Sequence, residues 1–507
     1  MSNIAFRDSS IIIIETSRTK IRAIFGLADL LKLPSVEISA RVGLRKYAPP
    51  SRPGGLLGVE DANGASASRA PSMPARQHAK VNEYLVGQQL DDALAAGEDI
   101  IVSWPFENGD VKDFYEAEAL WKHILFTKFG LKRIQMESPI LLTLPHGLPR
   151  STHERVSQIF FERFNAAAMS ILERPLAHMY AANMLSGLII DIGDAHTDIT
   201  PIYECAVLHS CCDSMPIGLR DCEAYLAHLF RVSTHNHQPS IIETLSPPDA
   251  PLPPEELDRQ LLELARQVWQ EGLIKITEAE AIIGEEEEGV TNIAAVLVAG
   301  KEKAVIETNM KKRQNAKASA AEQARAKEIE ALDLVQVEFR GKQVMIGKER
   351  HRFLEPLWDP SLLKSVKGGE RDWHGGDVLP IQDVCGHAVA KTDLDARVPI
   401  WDGLLVTGDC ASLIKGIGVA IQSRLTPYIL GNPDHQNDAQ PKQVRVVHVP
   451  EYFAEYRERG DANAGFLGAS IVAKIIFSDP AGKNFVSKAD YASKGPRAVL
   501  EMSPCLL

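Results

Sequence analysis

Asp191, Gly193 and Asp194 fall within Asp191-Ile-Gly-Asp-Ala-His-Thr-Asp-Ile-Thr-Pro-Ile-Tyr-Glu204, entered from the apolar run Leu185–Ile190. An apolar strand that ends in Asp-x-Gly-Asp and resumes as a second strand reads as a hairpin. The glycine lets the backbone approach a ligand closely, and the exposed N–H groups of such a turn hold phosphate oxygens. The two aspartates suit a hydrated divalent cation. The same residues also make an ordinary Asp/Gly turn. Thr407-Gly408, after the apolar run that begins at Leu404, is a second place where backbone can approach a nucleotide.

Two further groups invite a metal reading. His209 with Cys211 and Cys212 lacks a CxxC pair, so buried thiols are the favoured reading. His235-Asn-His237 sits in a Pro-rich irregular stretch over 233–256, and a solvated turn is favoured there. Few cysteines, odd in number and partly adjacent, fit reduced thiols.

The elements that must position these residues alternate between strands and helices. Ile11–Glu15 is a short continuous apolar run, read as a buried first strand, with Lys20–Phe25 as its return strand. Asp113–Phe129 reads as an amphipathic helix with Phe114, Leu120, Trp121, Leu125 and Phe129 facing inward. Residues 49–79 are rich in Pro, Gly, Ser and Ala and are expected to form a disordered excursion. Residues 301–333, rich in Ala, Lys, Glu, Arg and Gln, read as an exposed helical arm. That arm is either a solvated charged helix or a partner-binding one.

Several segments resemble the actin family in the same order along the chain. DIGDAHTDITPIYECAVLHS followed by IGLRDCEAYL is similar to actin's second phosphate loop and the strand and helix beyond it. SWPFENGDVKDFYEAEALWKHIL, SPILLTLPHGLPRSTHERVSQIFFERFNAAAM and RGKQVMIGKERHRFLEPLWDPSLL resemble successive actin stretches, the last with an Ile-Gly-x-Glu-Arg-x-Arg signature. LLVTGDCASLIKGIGVAIQSRL is similar to the adenosine-side glycine turn, and FLGASIVAKIIF with SKADYASKGP to the C-terminal region. The resemblance implies an α/β actin-like fold of the actin/Hsp70/sugar kinase type, with two lobes and a central cleft. It places the first lobe at 1–174, the second at 175–447, and a returning C-terminal segment at 448–507.

The resemblance also implies what chemistry is kept. Where actin has Asp-Asn-Gly-Ser-Gly as its first phosphate loop, this chain has Glu15-Thr16-Ser17-Arg18-Thr19, without either glycine and with a bulky Arg18. The phosphate-reaching lysine becomes Arg22. The second loop keeps Asp191, Gly193 and Asp194, while Ala195 replaces a glycine. The glutamine that orients the attacking water corresponds to Arg174, which accepts no proton or hydrogen bond from water. A Lys-Glu pair on the adenosine side aligns with about Trp269-Gln270, and the Gly-Gly turn becomes Gly408-Asp409. The expectation is therefore no catalytic residue, no enzyme activity and no metal. Asp191, Gly193, Asp194, Thr407 and Gly408 remain as a vestigial nucleotide cleft. No cofactor is expected, with ATP left only as a weak structural ligand.

The 507 residues suffice for two ordinary domains, with 45% hydrophobic and 24% charged content. No apolar run reaches the roughly 20 residues that span a bilayer, and MSNIAFRDSS lacks the character of an export signal. A net charge of -12 makes the chain a poor autonomous binder of nucleic acid, so any such link should pass through a protein partner.

Among divergent actin-related proteins, the chain is most similar to the ninth class, found in fungal SWI/SNF and RSC chromatin remodellers. That resemblance implies a nuclear, non-catalytic subunit. It would pair with another actin-related protein and clasp a helical segment of the remodeller ATPase, a helix-in-groove mode of recognition. The alternatives are a subunit of another nuclear complex (INO80-type or histone acetyltransferase), a subunit of cytoplasmic dynactin, and an active actin-like ATPase.

Overall fold

The computed structural model describes residues 6–28, 31–46, 79–232, 240–276, 333–366, 378–429, 441, 443–479 and 483–503. The excursions expected over 49–79 and 301–333 fall outside these residues, apart from Ala79 and Asp333, as do His235 and His237. The chain divides into two compact units, Met1–Ala177 with Gly465–Leu507, and His178–Ala464. The return to the first unit thus falls later than residue 447. Residues 445–447 pair alongside a strand of the second unit and keep the segment after them there.

The first unit is built on a six-stranded mixed sheet. Its strands are β1 (Ile12–Thr16), β2 (Lys20–Phe25), β3 (Val36–Ser39), β7 (Pro139–Leu144), β8 (Ala168–Glu173) and β16 (Val486–Ser487), in the order β16-β8-β7-β1-β2-β3. β1, β7 and β8 run parallel, and β2 returns antiparallel on β1. Central parallel strands are covered on both faces, so they read as unbroken apolar runs, and β1, β7 and β8 are buried throughout. β4 (Val42–Arg45), β5 (Leu85–Val86) and β6 (Ile100–Ser103) form a separate three-stranded sheet.

The amphipathic stretch forms the helix Phe114–Lys122, extended by a wide π-helical turn at His123–Lys128. Asp113 caps it, its carboxylate accepting the N–H groups of Tyr115 (2.7 Å) and Glu116 (3.3 Å). Leu120, Trp121 and Leu125 are fully buried, while Phe114 and Phe129 pack at the core's edge.

In the second unit β9 (Gly187–Ile192), β10 (Thr197–Tyr203), β11 (Ala206–Val207), β12 (Asp213–Met215) and β15 (Leu404–Thr407) form one sheet. Its order is β11-β10-β9-β15, with β12 also paired to β10. The hairpin β13 (Val335–Phe339) and β14 (Lys342–Ile346) stands apart. The Ile-Gly-x-Glu-Arg signature that follows it is architectural. Glu349 accepts the Gly347 N–H at 3.0 Å, and buried Arg350 donates to the carbonyls of Leu273, Asp333 and Gly347. Among the described residues no helix is long and apolar enough to cross a membrane.

Candidate functional site

In the first unit, β1 runs out of its apolar stretch at Glu15, a residue only 1% exposed. A buried carboxylate demands compensation, because desolvation of an unpaired charge costs several kcal/mol. The antiparallel register sets Arg22 opposite Glu15, and the Arg22 guanidinium lies 3.5 Å from Glu15 Oε2. Arg174, following directly on β8, donates from Nε to Glu15 Oε1 at 3.0 Å. Arg22 also donates from Nε to Glu37 Oε2 at 3.0 Å. Arg174 and Arg22 therefore converge on one buried carboxylate.

The turn Ser17–Thr19 closes on itself. Ser17 donates through its N–H (2.9 Å) and its hydroxyl (3.0 Å) to the Lys20 carbonyl, and its hydroxyl oxygen accepts the Lys20 N–H. Arg18 reaches the Glu107 carbonyl at 3.0 Å, so its charge is spent on the neighbouring turn. The Trp121 indole donates to Thr16 Oγ1 at 3.3 Å and ties the end of β1 to the helix core. These contacts are those of a settled hairpin.

The second unit carries the five residues singled out in sequence. Asp191 and Asp198 are cross-strand partners in the β9–β10 hairpin, and the Gly193 N–H donates to the His196 carbonyl at 2.9 Å. The N–H groups of Leu219 (3.0 Å) and Arg220 (2.8 Å) donate to the carbonyls of Gly193 and Asp194. A Cβ on Gly218 would sit 2.5 Å from the Asp194 carbonyl, so only glycine admits this docking. Arg220 also holds the Asp194 carboxylate in an ion pair. Asp191, at the end of β9, is buried. The parallel register of β9 and β15 sets Thr407 beside Asp191. Gly408, at φ +110°, lies so near β9 that a Cβ would be 2.1 Å from the Ile192 carbonyl oxygen. The structure thus brings together all five residues predicted from sequence.

The same unit covers what surrounds them. Asp461 accepts the Thr407 hydroxyl on its backbone carbonyl at 2.7 Å, and the Ala462 N–H donates to Ser412 Oγ at 3.1 Å. Both ends of the turn 407–412 are therefore bonded to one segment of the chain. Trp269 is 6% exposed, donates its indole N–H to Glu223 at 2.9 Å and stacks on Phe353. Arg266 grips the same Glu223 at 2.7 Å. Gln270, beside it, faces solvent.

Asp191 and Asp194 are the residues that would hold a hydrated cation beside a nucleotide. Asp194 already has a cationic partner in Arg220, and among the described residues no group of three or more His, Cys, Asp or Glu side chains is arranged for a metal. The thiols of Cys211 and Cys212 lie on and just after the turn His209–Cys211 rather than within a strand. Cys211 meets Ser210, and Cys212 donates to the Leu208 carbonyl at 3.5 Å.

Sequence reasoning missed three relationships: Arg174 with Glu15, Trp269 with Glu223, and Asp461 with the 407–412 turn. The first carried a signal. A glutamate closing an apolar strand must find a buried cation.

A two-unit α/β chain with paired Asp/Gly hairpin and glycine-turn strands belongs to a definite class. The family model described as Actin matches residues 59–502, and the chain belongs to the actin family. Within it, the chain is similar to the SWI/SNF and RSC complexes subunit arp9 of Schizosaccharomyces pombe (strain 972 / ATCC 24843). The two are 24% identical in an alignment that covers 98% of this chain and 99% of that protein.

Proposed function

We propose that this chain is a non-catalytic, actin-related subunit of a nuclear chromatin-remodelling complex of the SWI/SNF or RSC type. It pairs with another actin-related protein, and together they hold a helical segment of the remodeller ATPase. The role is assembly and regulation, and ATP hydrolysis belongs to the motor subunit. Nucleic acid is reached only through the complex, in keeping with the net charge of -12.

One observation carries the non-catalytic part. Arg174, at the position of the water-orienting glutamine, is bonded to buried Glu15 and is itself a donor only. Orienting a water for attack on a phosphoryl group needs an acceptor there. The engagement of Arg22 and Trp269 by buried carboxylates, and of Arg220 by Asp194, supports the same reading. The complex-level part rests on near full-length similarity to a subunit whose name places it in SWI/SNF and RSC complexes.

Affinity purification of the full chain with identification of stoichiometric partners tests the proposal. A remodeller catalytic subunit with a second actin-related protein is the expected company, and dynein–dynactin components would overturn it. Single-turnover hydrolysis with magnesium tests the chemistry. Turnover abolished by Asp191→Ala would overturn the non-catalytic reading.

A further inference from the structure

The turn Thr407–Ser412 is covered by a segment that the actin resemblance did not single out. Residues 445–447 run beside the start of β15: the Leu404 N–H donates to the Arg445 carbonyl at 2.8 Å, and the Val447 N–H donates to the Leu404 carbonyl at 2.8 Å. The chain then leaves the sheet at His448, makes short turns around Tyr456, and returns at Asp461. Tyr456, within the excursion, is buried.

Asp461 joins its two legs. Its carboxylate accepts the Val449 N–H at 2.8 Å on one oxygen and contacts His448 Nδ1 at 2.7 Å on the other. Its own carbonyl and the next N–H make the bonds to Thr407 and Ser412. One residue thus closes the loop on itself and fastens the closed loop to the turn. Cys410, at the middle of that turn, is 0% exposed.

We infer that residues 448–463 are a built-in strap, pinned by Asp461, that holds the turn 407–412 shut against a purine nucleotide. The inference rests on the non-catalytic reading for the identity of the excluded ligand, but the closure itself stands on the hydrogen bonds. The strap's Asp461 carbonyl and Ala462 N–H already engage the hydroxyls of Thr407 and Ser412. Exclusion is then a property of this unit alone, separate from the altered first loop.

Cys410 lies within the fastened turn, so its labelling reports on opening of that turn. The full-length chain is treated with a small thiol reagent, methyl methanethiosulfonate, and labelling of each cysteine is followed by mass spectrometry. Partly exposed Cys205 and Cys212 serve as reference sites, and Cys385, buried elsewhere in the unit, reports global unfolding. Asp461→Ala should label Cys410 about tenfold or more faster than wild type while Cys385 stays protected. An unchanged Cys410 rate with Cys385 protected overturns the strap.

Should Asp461→Ala also expose Cys385, the milder Ser412→Ala and Thr407→Val variants decide by the same comparison. Each removes one fastening and should raise Cys410 labelling several-fold. The two readings fail differently. ATP turnover by wild type would sink the non-catalytic reading while leaving the labelling result intact. Equal Cys410 labelling in all variants would sink the strap while leaving partner and hydrolysis results untouched.

Discussion

Arg174 Nε donates to Glu15 Oε1 at 3.0 Å, and the carboxylate it meets is almost wholly buried at the end of β1. Arg174 holds one oxygen of that carboxylate, and the Arg22 guanidinium lies 3.5 Å from the other as an ion pair.

Arg174→Ala should therefore be a stability mutation. It strips Glu15 of its better-bonded partner and should cost about 3 kcal/mol, with Arg22 retaining part of the compensation. The double variant Glu15→Gln with Arg174→Gln, which removes both charges, should cost less than Arg174→Ala alone. Urea unfolding of the three proteins checks this. A double variant as unstable as the sum of its parts would show that the two residues act independently.

Much of this unit is legible in sequence because its strands are buried on both faces and so read as apolar runs. β1 and β2 follow from Ile11–Glu15 and Lys20–Phe25, as β9 of the second unit does from the run before Asp191. The pairing of Arg174 with Glu15 is not, since 159 positions separate them. Taken singly, each is a departure from the actin pattern, and only the β1–β7–β8 order of the sheet shows that they meet. The strap at 448–463 is harder still. Its holding bonds are mostly to backbone groups, which every residue type supplies, so composition leaves no trace of them.

Trp269 is a core position held by both stacking and a hydrogen bond. Its indole is stacked near Phe353 and bonded to buried Glu223, so the site belongs to the core. Trp269→Ala should cost about 3–5 kcal/mol. Trp269→Phe should cost about 1–3 kcal/mol, chiefly from the unmet bond to Glu223, with Arg266 still in place. Trp269→Lys should destabilise the unit without creating nucleotide affinity. Thermal unfolding and fluorescent-ATP titration of the Trp269→Lys variant check both halves.

Gly408 is a position where no side chain fits. Its φ of +110° is costly for any L-residue, and a Cβ would stand 2.1 Å from the Ile192 carbonyl oxygen. Gly408→Ala must push β15 away from β9 and should cost about 3 kcal/mol or more. Hydrogen exchange at Leu404–Thr407 should rise with it, whereas Gly97→Ala, where a Cβ meets nothing, carries only the backbone strain. Equal costs at the two glycines would show that contact with β9 is not what fixes residue 408.

His448 gives the strap a pH dependence whose sign is fixed. The hydrogen bond to Asp461 raises its pKa above the usual 6.5, outweighing partial burial, which lowers it. A raised folded-state pKa means the protonated pair adds stability that is fully present below the unfolded value of 6.5. That contribution is lost as pH rises through the folded value. The His448 side chain is 64% exposed, so the gain is small, about 1 kcal/mol or less after solvent screening. Amide exchange at Val449 and Ala462, corrected for intrinsic rates, should therefore be slower at pH 6 than at pH 8. His448→Gln should flatten the difference while leaving the Val449–Asp461 bond in place. A pH effect that survives His448→Gln would move the titration to another group and leave Asp461 holding the strap without it.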